Sequence, residues 1–93
     1  MTDLEADLEK IRDWEIHNDS SCRDLLNFVQ SIWWCGDQLV ERRDGETWNI
    51  STGGYSDNES IIGAMMDNFL FWSMAWEESR KGGHYVFKTK WNY

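Results

Sequence analysis

Apolar residues recur every three to four positions in three stretches of the chain, and this period predicts three helices. The helices are expected at about residues 3–17, 21–40 and 57–80. Around residues 69–76 the third helix is apolar on nearly every side, which is typical of a central helix or an interface. The apolar positions are Leu4, Leu8 and Ile11 in the first helix; Leu25, Leu26, Val29, Ile32, Trp33, Gly36, Leu39 and Val40 in the second; and Ile61, Ile62, Met65, Met66, Phe69, Leu70, Trp72 and Trp76 in the third.

Two further stretches alternate between apolar and polar residues, and this period of two predicts strands at about 46–51 and 84–91. The element order is then α-α-β-α-β. It predicts an α+β fold in which a short antiparallel β element packs on helices. Because two strands alone are weakly stable, they must lie on the helices or join a larger sheet across a dimer interface.

The length of 93 residues predicts one domain, residues 1–93. The chain contains seven Trp, four Phe and three Tyr. Each such ring can bury roughly 150–250 Å². This is more aromatic surface than a small monomer easily hides, so part of it is expected to face a partner, a twin subunit or a ligand. The alternative is a Trp-rich core with exposed edges.

Charge narrows the classes of partner. Seventeen acidic residues against nine basic ones give a formal net charge of −8. A protein that binds duplex nucleic acid needs a basic footprint, so direct duplex binding is not expected. Basic protein surfaces are the expected partners, although acidity also serves simply to keep a small protein soluble.

A cytoplasmic location is predicted because the sequence shows no signal peptide, no membrane-spanning run and no cysteine pair placed for a disulfide. The first ten residues are acidic and do not resemble a signal peptide, and no run of about 20 apolar residues could span a membrane. Cys22 and Cys35 fall on one predicted helix, about 20 Å apart along its axis, too far for a disulfide. Free thiols favour the reducing cytoplasm.

No set of residues predicts catalysis or metal binding. Two Cys and two His lack the spacing of a zinc site, so neither a metal nor a cofactor is expected. Cys22 or Cys35 could be combined with His84 as a nucleophile and base. However, both thiols lie on a helix expected to be buried, where thiols are usually inert. We therefore expect no enzymatic activity.

Acidic residues are concentrated in the N-terminal part of the chain, where eight of the 17 precede residue 25. Carboxylates spaced along a helix can imitate the charge of a phosphate backbone and compete for a nucleic-acid channel. The alternative is an ordinary solvated helix face. A protein-binding surface is predicted from these acids together with nearby indoles: Asp7, Asp13, Trp14, Glu15, Trp33 and Trp34.

Two Gly-Gly pairs bracket the third helix and carry an alternative prediction. Glycines and hydroxyls before a helix can cradle a phosphate, and basic and aromatic residues can bind an anionic ligand such as a nucleotide signal. Ordinary tight turns and a helix C-cap would give the same pattern. The pocket would be walled by adjacent subunits of a homo-oligomer, with the set Gly53, Gly54, Tyr55, Arg80, Lys81, His84 and Tyr85.

Three motifs in the second half carry a resemblance: the run 51–62 (STGGYSDNESII), then Phe71-Trp72 and Trp76, then the run 79–87 (SRKGGHYVF). This pattern resembles small uncharacterised proteins encoded by tailed phages and prophages. It covers about the last 40 residues. The resemblance implies a phage accessory product that acts inside a bacterium, where such products often bind and disable host proteins or sequester host signals. It implies no catalytic residues.

Overall fold

The computed structural model of the protein describes residues 3–43 and 45–89. Five helices and four strands occupy these residues. In chain order they are α1 (Leu4–Arg12), α2 (Asp19–Ile32), α3 (Gly36–Leu39), β1 (Val40–Arg43), β2 (Thr47–Ser51), α4 (Ser56–Asp67), α5 (Phe69–Ala75), β3 (Trp76–Arg80) and β4 (His84–Lys88). The α+β class, the antiparallel β element and the approximate order of the elements are confirmed.

The strands form one antiparallel sheet in the order β1-β2-β4-β3. Trp48 is paired with Phe87 and Ile50 with Tyr85 across the two central strands. Because side chains alternate between the faces of a strand, these four residues share one face. Trp48, Ile50 and Phe87 are buried, so this is the face covered by the helices. The opposite face carries mostly polar residues.

The core lies between this sheet face and the helices. Phe71 of α5 packs against Phe87, with ring centroids 5.6 Å apart. The remaining core side chains come from every helix except the short α3; the largest fully buried ones are Ile11, Leu25, Leu26, Val29, Ile61 and Met65. The apolar period of the first half of each predicted helix therefore did identify core positions.

The predicted helix 21–40 is wrong in its second half. α2 ends at Ile32, because Trp33 adopts an extended backbone conformation. Cys35 then has a positive φ of 56°, and Val40 begins β1. Cys22 and Cys35 consequently do not share a helix: Cys22 is buried and Cys35 is exposed. Both are free thiols, as the sequence predicts.

The predicted helix 57–80 is also wrong in its second half. Asn68 separates α4 from α5 and caps the second helix by accepting a hydrogen bond from the Phe71 N–H. The chain becomes extended at Trp76, which pairs with Phe87 and adds β3 to the edge of the sheet. The sheet is therefore extended by strands of the same chain. From the sequence alone, a second subunit was the alternative source of additional strands.

The other predicted boundaries need smaller corrections. The helix predicted over 3–17 ends at Arg12, because the carbonyls of Ile11 and Trp14 accept hydrogen bonds from the Asn68 side chain. β2 and β4 begin and end within the ranges 46–51 and 84–91, and both are central strands of the sheet. Residues 90 and 91 of the second range lie outside the described residues.

The two Gly-Gly turns meet in space. The Thr52 N–H donates to the carbonyl of Gly83 over 3.0 Å. Gly54 and Gly83 both have φ = +79°, a left-handed conformation that favours glycine. A Cβ on Gly83 would collide with the Thr52 hydroxyl, whereas a Cβ on Gly54 would meet nothing within 4 Å.

Replacing these two glycines separates backbone strain from the close approach. Gly54→Ala should lower the free energy of unfolding by about 1 kcal/mol, because only the left-handed conformation is strained. Gly83→Ala should lower it by a further amount of about 1–3 kcal/mol, because the methyl group also displaces Thr52. Urea unfolding of both variants measures the difference. Equal losses would show that the contact of the two turns contributes nothing.

Candidate functional site

Three segments distant in sequence converge at the N-terminal end of α4 through one buried side chain. Asn58 has no exposed surface. Its Oδ1 accepts from the Trp34 N–H over 2.9 Å, and its Nδ2 donates to the carbonyls of Trp34 and Thr52 over 3.2 and 3.1 Å. The connection after α2, the first Gly-Gly turn and α4 are thereby held together.

Trp34 is held in place at this end while its ring remains in solvent. The side chain is 56% exposed. Its indole Nε1 donates to Oδ2 of Asp57 over 3.3 Å. The ring stacks on Tyr55, with centroids 5.9 Å apart and planes inclined by 24°. Backbone and side chain are therefore both fixed, although the ring is not part of the core.

The cysteines differ in environment. Burial, followed by the charge of Asp19, raises the pKa of Cys22 to about 11, so this thiol stays protonated at neutral pH. Cys35 is exposed, and its Sγ lies 3.8 Å from the Tyr55 hydroxyl. The hydrogen bond with Cys35 raises the pKa of Tyr55, so this phenol stays neutral. Neither thiol contacts His84 within the described part of the chain.

The second Gly-Gly turn brings His84 and Arg80 to the open face of the sheet. His84 Nδ1 lies 2.5 Å from Ser51 Oγ. Arg80 donates to Glu78 over 2.7 Å, and this hydrogen bond raises the pKa of Arg80 and lowers that of Glu78. A shallow depression of about 220 Å³ lies beside these residues. A hydroxyl and an imidazole in contact could exchange a proton, but within residues 3–43 and 45–89 no third group orients the ring.

The three indoles of the predicted protein-binding set are in different environments. Trp33 is only 5% exposed and donates its Nε1–H to the Ser51 carbonyl, so it belongs to the core. Trp14 is half-buried against Phe28, with ring centroids 5.5 Å apart. Trp34 alone of the three is exposed, at the other end of α4 from Trp14.

The three acids of that set lie near the C-terminal end of α1 or along it. Asp13 and Glu15 are exposed, and Asp7 is half-buried. Asn68 donates to the carbonyls of Ile11 and Trp14, so these acids lie close to the junction of α4 and α5. The structure thus brings Asp13 and Glu15 near Trp14 but separates them from Trp34.

The alternative ligand-binding set is brought together only in part. Gly53 and Gly54 lie beside the second Gly-Gly turn, and Arg80, Lys81 and His84 are exposed around it. The two tyrosines turn away from each other: Tyr55 stacks on Trp34, and Tyr85 packs near Trp72, with ring centroids 6.3 Å apart.

A second exposed group was not identified from the sequence as a surface. Met66, Phe69 and Leu70 lie on either side of the Asn68 bend and are 50%, 76% and 55% exposed. We call these three residues the α4–α5 corner. The sequence does carry one indication of this surface, because residues 69–76 are apolar on nearly every side. That pattern is typical of a central helix or of an interface, and it does not distinguish the two.

Within residues 3–43 and 45–89, no three side chains among His, Cys, Asp and Glu are grouped so that they could hold a metal ion. None of the helices there combines the length and the apolar character needed to cross a bilayer.

Comparison with known proteins gives no relative. No protein-family model matches the chain, and the comparisons with curated proteins and with solved structures found no match.

Removing the Asn58 amide should show how much this end of the molecule depends on it. Asn58→Ala should lower the free energy of unfolding by about 2 kcal/mol, because the part-buried N–H and carbonyl of Trp34 lose their partner and the Thr52 carbonyl keeps only the Tyr55 N–H. Asn27→Ala, at an exposed position of α2, is the matched control and should change it by less than about 0.5 kcal/mol. Similar values for the two variants in urea unfolding would contradict the bridging role.

Proposed function

We propose that this protein is a non-enzymatic binding protein whose α4–α5 corner attaches to a basic surface of another protein. The pattern of the second half resembles phage accessory products, so the proposed partner is a host protein in a bacterial cytoplasm. Binding would block the partner's own ligand site. A defence nuclease is the class that fits best, because its nucleic-acid channel is basic.

The observation that carries this proposal is the exposure of Phe69. It is the most exposed of the large apolar side chains described; Leu70 follows it directly, and Met66 lies three residues before it, on the other side of the Asn68 bend. Burying an exposed side chain of this kind contributes about 1.5–3 kcal/mol. An aromatic side chain flanked by aliphatic ones is a suitable anchor for an apolar pocket on a partner.

Acidic residues at the border of the corner give the partner its expected charge. Asp67 directly precedes the bend and pairs with Arg12 over 3.3 Å. Asn68 holds the end of α1, so Asp13 lies near the same bend. With a net charge of −8, the protein attracts basic surfaces over distance and accelerates their encounter. Asp13 and Phe69 therefore both lie near the Asn68 bend.

The direct test is capture of a bacterial partner followed by measurement with that partner purified. The captured protein should bind with 1:1 stoichiometry. The double variant Phe69→Ser, Leu70→Ser should weaken binding at least about a hundredfold, because two apolar anchors are removed. Val86→Ser, which removes a half-buried apolar side chain from the open face of β4, is the control outside the corner and should leave the affinity within about threefold of the wild type.

Charge reversal tests the part of the proposal that concerns the acidic residues. Reversing Asp13 and Glu15 to Lys should slow association at low salt and have less effect at high salt, because exposed charges are screened.

Two outcomes would reject the corner as the surface that binds a host protein. The first is an equal loss of affinity for the corner variant and its control. If light scattering shows a dimer that the corner variant converts to a monomer, the corner is an interface between copies of this chain.

A second candidate function is favoured by one observation, the depression on the open face of the sheet beside Arg80 and His84. Ligand sequestration would use the 220 Å³ depression, with Arg80 and His84 as contacts to an anion. This volume is below the roughly 300–1,000 Å³ typical of ligand sites, so a nucleotide would need walls from a second subunit. The ligand would also have to compete with Glu78 for Arg80.

Thermal shift with a panel of cyclic and adenine nucleotides tests this second function. Binding should raise the melting temperature increasingly with ligand concentration. Arg80→Ala with Lys81→Ala should abolish the shift, whereas Arg23→Ala, which removes a basic residue from α2, should preserve it. A shift that survives the double variant would place the site elsewhere, and no shift with any nucleotide would reject this function.

A further inference from the structure

A second recognition surface lies at the N-terminal end of α4, away from the α4–α5 corner. Asp57 and Asp67 are ten residues apart on this helix, which corresponds to about 15 Å. Four residues line a depression of about 240 Å³ there: Trp34, Tyr55, Ser56 and Asp57. We call it the Trp34 pocket. It shares no residue with the α4–α5 corner.

The pocket is preorganised, because its largest ring is restrained at several points. Asn58 binds both backbone groups of Trp34, and Asp57 binds the indole nitrogen. A partner that stacks on this ring would not have to immobilise it. A rigid aromatic contact loses little conformational entropy on binding, and Trp is among the side chains that contribute most at interfaces.

Charge at the pocket favours a cation. Asp57 uses Oδ2 for the indole, and it forms no ion pair with the described basic residues. Its Oδ1 remains available to a donor. The N-terminus of α4 carries a partial positive charge, but Asp57 and Glu59 both lie in the first turn and offset it. An anion would meet these two carboxylates instead.

Shape selects among cations. Tyr55 stacks on one face of the Trp34 indole, so a cation would meet one open aromatic face and not the enclosing walls of a cage for a quaternary ammonium. A guanidinium is planar, stacks on aromatic rings and forms directed hydrogen bonds to a carboxylate. The volume of about 240 Å³ suits one side chain better than a nucleotide.

We propose that the Trp34 pocket binds the guanidinium group of an arginine side chain presented by a partner protein. The guanidinium stacks on the exposed indole of Trp34 and donates hydrogen bonds to Asp57. This adds a specific contact, with one residue type, at a surface that the α4–α5 corner does not include.

The test uses the intact protein and the blocked tripeptide acetyl-Gly-Arg-Gly-amide as the probe. Its titration should shift the Nε1–H resonance of Trp34 to saturation; Trp34→Phe assigns that resonance. The same peptide with citrulline in place of arginine is neutral and nearly isosteric, and it should bind at least about tenfold more weakly. A lysine peptide distinguishes a guanidinium site from a site for any cation.

Variants separate the pocket from the general attraction of an acidic protein for cations. Asp57→Asn keeps an oxygen acceptor for the indole and should weaken the arginine peptide at least about tenfold. Asp37→Asn removes the same charge from an exposed position outside the pocket and should leave the affinity within about twofold. The proposal is overturned by equal binding of the arginine and citrulline or lysine peptides, by equal losses in the two variants, or by no saturable shift.

Discussion

The buried amide of Asn58 is the interaction on which one end of this molecule depends. It pairs with both part-buried backbone groups of Trp34 and with the buried carbonyl of Thr52, which also accepts from the Tyr55 N–H. Thr52 in turn donates to Gly83. A chain of hydrogen bonds therefore runs from the end of α2 through the start of α4 to the β3–β4 turn. Loss of the first member would loosen every segment after it.

A second asparagine has the same function at the other end of α4. Asn68 donates to the carbonyls of Ile11 and Trp14 and accepts from the N–H of Phe71, so it ends α1 and begins α5. Each asparagine adjoins an exposed aromatic side chain, Trp34 in one case and Phe69 in the other. α4 thus joins two bends that are fixed by buried polar groups, and each bend presents apolar surface to solvent.

The same two asparagines explain which parts of the fold the sequence could predict. Apolar periodicity reports burial along a regular element, and it placed helices correctly wherever the core alone decides the conformation. It failed after Ile32 and after Asp67, because tertiary hydrogen bonds to Asn58 and Asn68 interrupt a pattern that remains helical in period. β3 was missed for a related reason: all five of its residues are exposed, so no alternation of burial marks it as a strand. Of the candidate site, the sequence predicts the two turns, because a Gly-Gly pair marks each of them. The meeting of the two turns depends on sheet pairing, which no local pattern contains.

The large aromatic rings fall into two groups, those buried in the core and those exposed to solvent. The structure accommodates Trp33, Trp48, Phe71 and Phe87 in its core, so a ring of any size can be buried in this fold. Trp34 and Phe69 are nevertheless outside, next to buried amides that define their backbone. Holding an apolar side chain in water does not stabilise the isolated chain, since its favourable transfer free energy is not realised. That free energy becomes available when a second molecule covers the ring. The buried amides of Asn58 and Asn68 therefore hold the neighbouring backbone where these two apolar side chains face water.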